Sequence, residues 1–414
     1  MKTNITLIIL IFYFKTLAQA PKVVIDSTAI IIKDFQSAYL LDSLLQKNFF
    51  YSNDIIPSDS TATAYNSFVH TDTLKKRLNN LDSRTPLDIS YNSVVEDLIN
   101  NYLKKRRSSF NKLINRSEYY FPLFEEVFDK TEIPIEIKYL AVVESALNPN
   151  AKSRAGASGL WQFMFSTGKL FNLEVNSYVD DRFNPVRSTN AAAQYLQRLY
   201  GIFGDWNLSL AAYNAGPGNV TKAIRRSGGY TNYWNIRPFL PTETANYIPK
   251  LIATLYIFEY ADEHGFKPSK LHTSITQTDT VKIKSMVHFD HIKEILNVDI
   301  EMIRFYNPSY KLDIIPVFEG KESVLRLPSH IIGTFISNED EIYAYSKKEF
   351  GKREKPLPKF YKMDSRIRYK VKSGDYLGKI AKKYNVTTNE IIRWNSLKSD
   401  LINIGDKLII YIKD

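Results

Sequence analysis

The sequence predicts an α+β chain of several domains: a mainly α-helical central domain followed by small modules of strand, helix, helix and strand. Three observations carry this. Between residues 86 and 268, segment after segment places apolar residues at helical spacing, with few strand signals. Past Pro268 the pattern changes, and two stretches repeat the same residues at a constant offset. A chain of 414 residues is also longer than one ordinary domain.

The first 20 residues read as a secretion signal. Lys2 gives the positive start, Ile5 to Phe14 the apolar run, and Ala18-Gln19-Ala20 an A-x-A cleavage site. The run is shorter than the roughly 20 residues a membrane span needs, although an uncleaved anchor is the alternative. No later apolar run approaches that length, so no transmembrane segment is expected after signal cleavage. The chain has no cysteine, so it folds without disulfides and offers no thiol for a lipid. The expected location is the periplasm or cell envelope, without lipidation. The formal net charge of +11 suits an anionic wall polymer or lipid surface, or simply a solvated basic surface. For an exported chain without a nucleic-acid motif, no nucleic-acid partner is expected. Residues 21–85 mix short apolar runs such as Ala29 to Ile32 with the polar stretch Ser58 to Thr63. They are expected to be partly disordered, and nothing in them points to a function.

The helical domain spans 86–268. Val94, Val95, Leu98, Ile99 and Leu103 form one helix face, and Lys104 to Arg107 its solvated end. Tyr119 to Phe128 follows. Pro134 then suits a first helical position for a helix reaching Leu147. Ile137, Leu140, Glu144 and Leu147 share a stripe there, so Glu144 is an acid on the apolar side of a helix. Desolvation raises the pKa of such a carboxyl, and one that keeps its proton near neutral pH can act as a general acid. The alternative is a helix-edge Glu paired with a Lys or Arg. Helices over Thr189–Tyr200, Leu208–Tyr213, Val220–Arg226 and Thr242–Tyr260 complete the domain.

Four motifs occur in order within it: Glu144-Ser145, Ala155-Gly-Ala-Ser-Gly-Leu-Trp-Gln-Phe-Met164, Ala212-Tyr-Asn-Ala-Gly216 and Glu243-Thr-Ala-Asn-Tyr247. Gly156 and Gly159 permit a tight turn close to a ligand. Gln162 offers an amide to a sugar or caps its own loop. Tyr213 and Asn214 present a ring hydroxyl and an amide to a sugar, or Asn214 and Gly216 end a helix before Pro217, or both. Tyr247 can bond the acid, bond a sugar, or pack. Trp161 and Trp206 either stack on sugar or fill core. Asp180-Asp181, beside Arg182, suits an ion pair or helix start. With these motifs, residues 88 to 260 resemble the lytic transglycosylases of the soluble-lytic-transglycosylase family, especially the membrane-bound type D group. The resemblance implies a lysozyme-like fold and peptidoglycan glycan strands as substrate. It makes Glu144 the sole catalytic carboxylate, acting as acid and then base to leave a 1,6-anhydro muramic end. Ser145, Gln162, Tyr213, Asn214 and Tyr247 would position substrate and acid. A single carboxylate suits an attack by a hydroxyl already tethered to the substrate, where two-carboxylate glycosidases need a second group.

After residue 268, Asn297-Val298, Ile303 and Tyr306-Asn307 correspond to Asn385-Val386, Ile391 and Trp394-Asn395, and Ile292 corresponds to Ile380. The first copy, 278–329, is followed by a charged linker over 337–367 and the second copy, 368–413. Tyr369 to Leu377, Ile380 to Tyr384, Ile391 to Asn395 and Ile404 to Leu408 make the second copy resemble a LysM domain. The implied fold is βααβ and the implied ligand an N-acetylglucosamine backbone, contacted by Ser373, Gly374, Asp375, Tyr376 and Leu377 and by a second loop, Leu401–Ile404, that carries Ile404. Trp394 reads as core. The first copy lacks the Ser-Gly-Asp turn and inserts Ile314 to Glu322, so it resembles a degenerate LysM module or a spacer. His264, His272, His288, His291 and His330 lack ligand spacing; no metal and no cofactor are expected, and the chain is expected to be a monomer. The rival readings are a lysozyme-type muramidase and a non-catalytic peptidoglycan-binding protein.

Overall fold

The structure, a computed structural model, describes residues 68–267, 275–318, 320–353, 357, 365–384, 386–395, 397 and 399–412. The expected signal over 1–20, the 21–67 part of the N-terminal segment, His272 and most of 354–364 lie outside the described residues. Among the described residues no helix is long and apolar enough to cross a membrane.

Helix α1, Thr71–Asp82, buries Leu74, Leu78 and Leu81 in the same core as the helices that follow. Arg77 on it donates to the Tyr256 hydroxyl at 2.9 Å. The helical domain therefore starts before residue 86, a correction to the expected boundary. Helix α2, Ser93–Lys105, opens where the Asn92 side chain accepts the Val95 N–H, and its five predicted apolar residues are all buried. Helix α3, Arg107–Lys130, is longer than the stretch read from Tyr119 to Phe128. Arg107 belongs to its first turn, bonds the His264 carbonyl and lies over Phe266, so the basic run is not wholly solvated.

The segment predicted as one helix over 134–147 divides. A 3-10 turn, Ile135–Lys138, leads into the short helix α4, Tyr139–Ser145. Ala146 and Leu147 then take left-handed conformations with φ of 53° and 55°. Two successive non-glycine residues there are strained and need support from surrounding structure. Helix α5, Phe165–Leu170, precedes α6, Pro185–Phe203, which has Asn184 as its cap and proline at its first position. Then follow α7, Trp206–Ala215, capped by Asp205, and α8, Pro217–Arg226. The helix expected over 242–260 is divided around Asn246; after α9, Tyr233–Ile236, come α10, Thr242–Ala245, and α11, Tyr247–Glu259.

The first module pairs β1, Thr278–Ile283, antiparallel with β4, Ser323–Pro328. Between them lie β2, Val287–His288, helices α12, Phe289–Leu296, and α13, Ile300–Tyr306, and β3, Ile314–Ile315, which pairs with β2. Two boundaries are corrected here. Helix α14, Ser329–Ser337, carries the module past its expected end at 329, and α15, Glu339–Gly351, replaces the first part of the expected linker; Ile332, Phe335 and Ile342 lie in the module's core. Apolar residues at helical spacing lay beneath the charge that suggested a linker.

The second module pairs β5, Ser365–Lys370, with β6, Lys407–Ile412, around α16, Leu377–Lys383, and α17, Thr388–Asn395. The repeat is physical. Ile292 and Ile380 are buried, as are Ile303 and Ile391. Asn307 bonds the N–H and carbonyl of Arg326 at 2.9 and 2.8 Å; Asn395 does the same to Ile409 at 2.6 and 2.8 Å. Each amide ties the second helix to the last strand. Asn395→Ala leaves both backbone groups without these partners and is expected to destabilise the second module by about 1–3 kcal/mol, read by chemical denaturation. Unchanged stability would show the tie to be idle.

Candidate active site

Glu144 lies in the last turn of α4, partly open to solvent. The Tyr247 hydroxyl, from the first residue of α11, donates to its carboxylate. Burial pushes the Glu144 carboxyl up to about 7; the Tyr247 bond opposes that shift, and the charge of Glu243 adds to it. The acid is thus half-protonated near neutrality. Arg116, almost fully buried on α3, donates to the Ala146 carbonyl at 3.0 Å and supports the strained turn just past the acid. Sequence reasoning missed Arg116; its place at helical spacing from Leu113, Tyr119 and Tyr120 was the available signal.

Tyr247 is placed by its neighbours. Tyr233 donates to the carbonyls of Thr244 and Ala245, and Arg237 to the Ala245 carbonyl at 2.7 Å. Thr244 then donates to the Asn214 side chain at 2.7 Å. That bond links the third and fourth motifs directly. Asn214 and Tyr213, both partly exposed, sit in the last turns of α7. The Tyr213 hydroxyl donates to the Trp161 carbonyl at 2.7 Å, which fastens the second motif to α7. Burial and the nearby Glu144 charge raise the Tyr213 hydroxyl pKa, so it stays a proton donor.

The second motif is a loop clamped from inside. Gln162, at φ 48°, points its amide nitrogen at the carbonyls of Gly159 and Ala151, at 2.8 and 3.3 Å. Its loop-capping role is therefore real. Arg182, 3% exposed, pairs with Asp180 at 2.8 Å and donates to the carbonyls of Gly156 and Phe163 at 3.0 and 3.3 Å. Gly159 has φ +83°, and a Cβ there would lie 1.8 Å from the Arg182 carbonyl oxygen. The close approach that requires glycine is to Arg182, not to a ligand as the sequence suggested.

The packing decides the remaining sequence readings, bearing some out and correcting others. Ser145 is fully buried and its hydroxyl donates to the Ala141 carbonyl at 2.9 Å, so its side chain packs into the helix. Trp161 is core, with its N–H on Thr189 at 2.9 Å; Trp206 is buried and stacks on Tyr200. Asp180 and Asp181 are ion-paired as the sequence suggested, Asp180 with Arg182 and Asp181 with Arg187, and Asp181 also accepts from the Glu174 N–H. In the second module, Ser373, Gly374, Tyr376 and Ile404 are exposed, but Leu377 is 1% exposed and belongs to the core. Asp375 accepts from the Tyr369 hydroxyl and the Lys372 N–H, so it ties the turn internally. Leu401, 83% exposed, is the more prominent apolar side chain of the second loop. Trp394 is only partly buried and joins Tyr411 against Phe165 and Val175.

Comparison with known proteins matches this layout. The Transglycosylase SLT domain matches residues 125–235, the LysM-like domain of lytic transglycosylase MltD matches 277–344, and the LysM domain matches 369–410. Membrane-bound lytic murein transglycosylase D of Escherichia coli K12 is 30% identical over 328 residues, covering 78% of this chain and 70% of the relative. The chain belongs to the membrane-bound lytic murein transglycosylase D family. It is accordingly a lytic transglycosylase, a lyase acting on peptidoglycan. Soluble lytic murein transglycosylase of Escherichia coli K12 is 35% identical over 157 residues, 36% of this chain and 24% of that one. The crystal structure of the 70 kDa soluble lytic transglycosylase of Escherichia coli aligns at 27% identity and a TM-score of 0.33, covering 47% of this chain and 31% of the other. The transglycosylase match includes Glu144, Gln162, Tyr213 and Asn214 but stops before Tyr247, and the LysM-like match runs past 337 into the former linker.

Proposed function

We propose that this transglycosylase cleaves the β-1,4 bond between N-acetylmuramic acid and N-acetylglucosamine with Glu144 as its only catalytic carboxylate. The observation that carries the reading is the Glu144–Tyr247 pair, a carboxyl poised near pH 7. Protonated Glu144 donates to the glycosidic oxygen as the bond to C1 breaks, and the substrate's own N-acetyl oxygen stabilises the cationic carbon. Glu144, now a carboxylate, takes the proton of the muramic 6-hydroxyl. That oxygen closes on C1, giving a 1,6-anhydro end and restoring the acid without water. Asp180 and Asp181 are held by Arg182 and Arg187, which supports one acid rather than two. Gln162, Tyr213, Asn214 and Tyr247 position substrate or acid, directly or through the loop. Tyr376, Leu401 and Ile404 offer the second module's exposed apolar surface to glycan, and tethering it to the catalytic domain raises the local substrate concentration.

Mass spectrometry of digested sacculi tests the chemistry. Anhydro-muramic ends are expected; reducing muramic ends alone would make the enzyme a muramidase. The pH profile tests the acid. Activity is lost as pH rises through the Glu144 pKa, because the donor must hold its proton. The Tyr247 hydroxyl favours the ionised form, so Tyr247→Phe raises that pKa and moves the alkaline limb to higher pH. A limb that stays put or moves down contradicts the assignment.

A further inference from the structure

In the second module the stretch between α17 and β6 turns Leu401 and Ile404 outward, at 83% and 72% exposure. In the first module the corresponding stretch, between α13 and β4, lies against the helical domain. Val179 and Tyr310 form an antiparallel bridge. The Asp180 N–H donates to the Ser309 carbonyl at 2.9 Å, and the Lys311 N–H to the Tyr178 carbonyl at 2.8 Å. The Lys311 ammonium donates to the Asn176 carbonyl at 2.5 Å. Phe318 packs on Tyr178, and Lys321 pairs with Glu174. At the end of α13, Phe305 packs against Tyr119 of α3 at 5.1 Å.

The stretch so held, 176–180, leads straight into the Asp180–Arg182 pair. Arg182 in turn donates to Gly156 and Phe163, the two ends of the loop that carries Gln162. We propose that the Tyr306–Lys311 stretch of the first module is a positioning element of the transglycosylase site, fixing the Gln162 loop through Asp180 and Arg182. The module's sequence departs from its glycan-binding counterpart because this loop serves docking. Ser309, Tyr310 and Lys311 are bonded backbone to backbone with the catalytic domain, and the chain of contacts runs through these hydrogen bonds and one buried ion pair, all of which resist small displacements. The inference rests on activity toward peptidoglycan, not on the anhydro product.

The test is made on the full chain. Lys311→Pro removes the N–H given to Tyr178; Lys311→Met keeps it and removes only the ammonium. Three readouts are taken: kcat and KM on sacculi, retention on sacculi, and hydrogen exchange of the loop amides of Ser158 and Phe163, which bond each other's carbonyls. The proline variant is expected to exchange these amides at least about tenfold faster and to lose about tenfold in kcat, with KM and retention unchanged. The methionine variant shifts both in the same direction by less, and it decides the matter if the proline variant does not fold. Wild-type exchange at Ser158 and Phe163 together with wild-type kcat, in whichever folded variant is measured, overturns the proposal. So does a loss of sacculus retention that accounts for the whole loss of rate, which would make the module a glycan binder. Neither outcome depends on whether the product carries an anhydro ring.

Discussion

Glu144→Gln is expected to lower kcat on sacculi by about 10²–10⁴-fold, the usual worth of a placed proton donor, while leaving the chain folded and more stable. The two effects have one origin. The folded state holds the Glu144 carboxyl up to about 7, above its ordinary value near 4.5. A carboxyl raised by folding contributes least stability when ionised: between the two values the unfolded chain has released the proton and the folded chain has not. Stability from this group is therefore full below about pH 4.5 and lost as pH rises to about 7. Glutamine cannot ionise and so escapes that loss. At pH 8 the variant is expected to gain on the order of 1–3 kcal/mol, the upper figure reduced because solvent reaches part of the side chain. Chemical denaturation at pH 4 and pH 8 checks the sign, since the gain should vanish at the lower pH. Retained activity in this variant would remove the acid assignment; lost activity with lower stability at pH 8 would point to a structural glutamate.

Arg182→Met is expected to destabilise the helical domain by about 3–5 kcal/mol. The substitution leaves the buried Asp180 carboxylate without its cation, and the carbonyls of Gly156 and Phe163 without their donor. Adding Asp180→Asn should recover part of the loss, because the uncompensated charge is then gone. Denaturation of the two single variants and the double variant measures this coupling. A single-variant loss under about 1 kcal/mol would mean that water or another cation already satisfies Asp180.

Much of the architecture was legible in the sequence because it is written in local period and composition. The buried face of α2, the two strand–helix–helix–strand modules and the matching Asn307 and Asn395 follow from residues a few positions apart. Where reading failed, a competing physical signal had won. Charge between 339 and 351 hid the apolar positions of α15. Ser145 stands beside Glu144 in the chain, yet the helical turn sends it into the core. Leu377 is adjacent to exposed Tyr376 but occupies the inward position of α16.

The sequence by itself determined the helical domain, the repeat and the acid set on an apolar stripe, since each depends on spacing along one segment. Only the tertiary structure decided what surrounds that acid. Tyr247 reaches Glu144 across 103 residues, Tyr213 holds Trp161 across 52, and Arg182 grips Gly156 across 26. The first module meets the catalytic domain across more than a hundred residues, as Lys311 does with Asn176. Such contacts arise when separate segments bury their apolar faces together, so their polar partners are set by packing and carry no periodic mark in the chain.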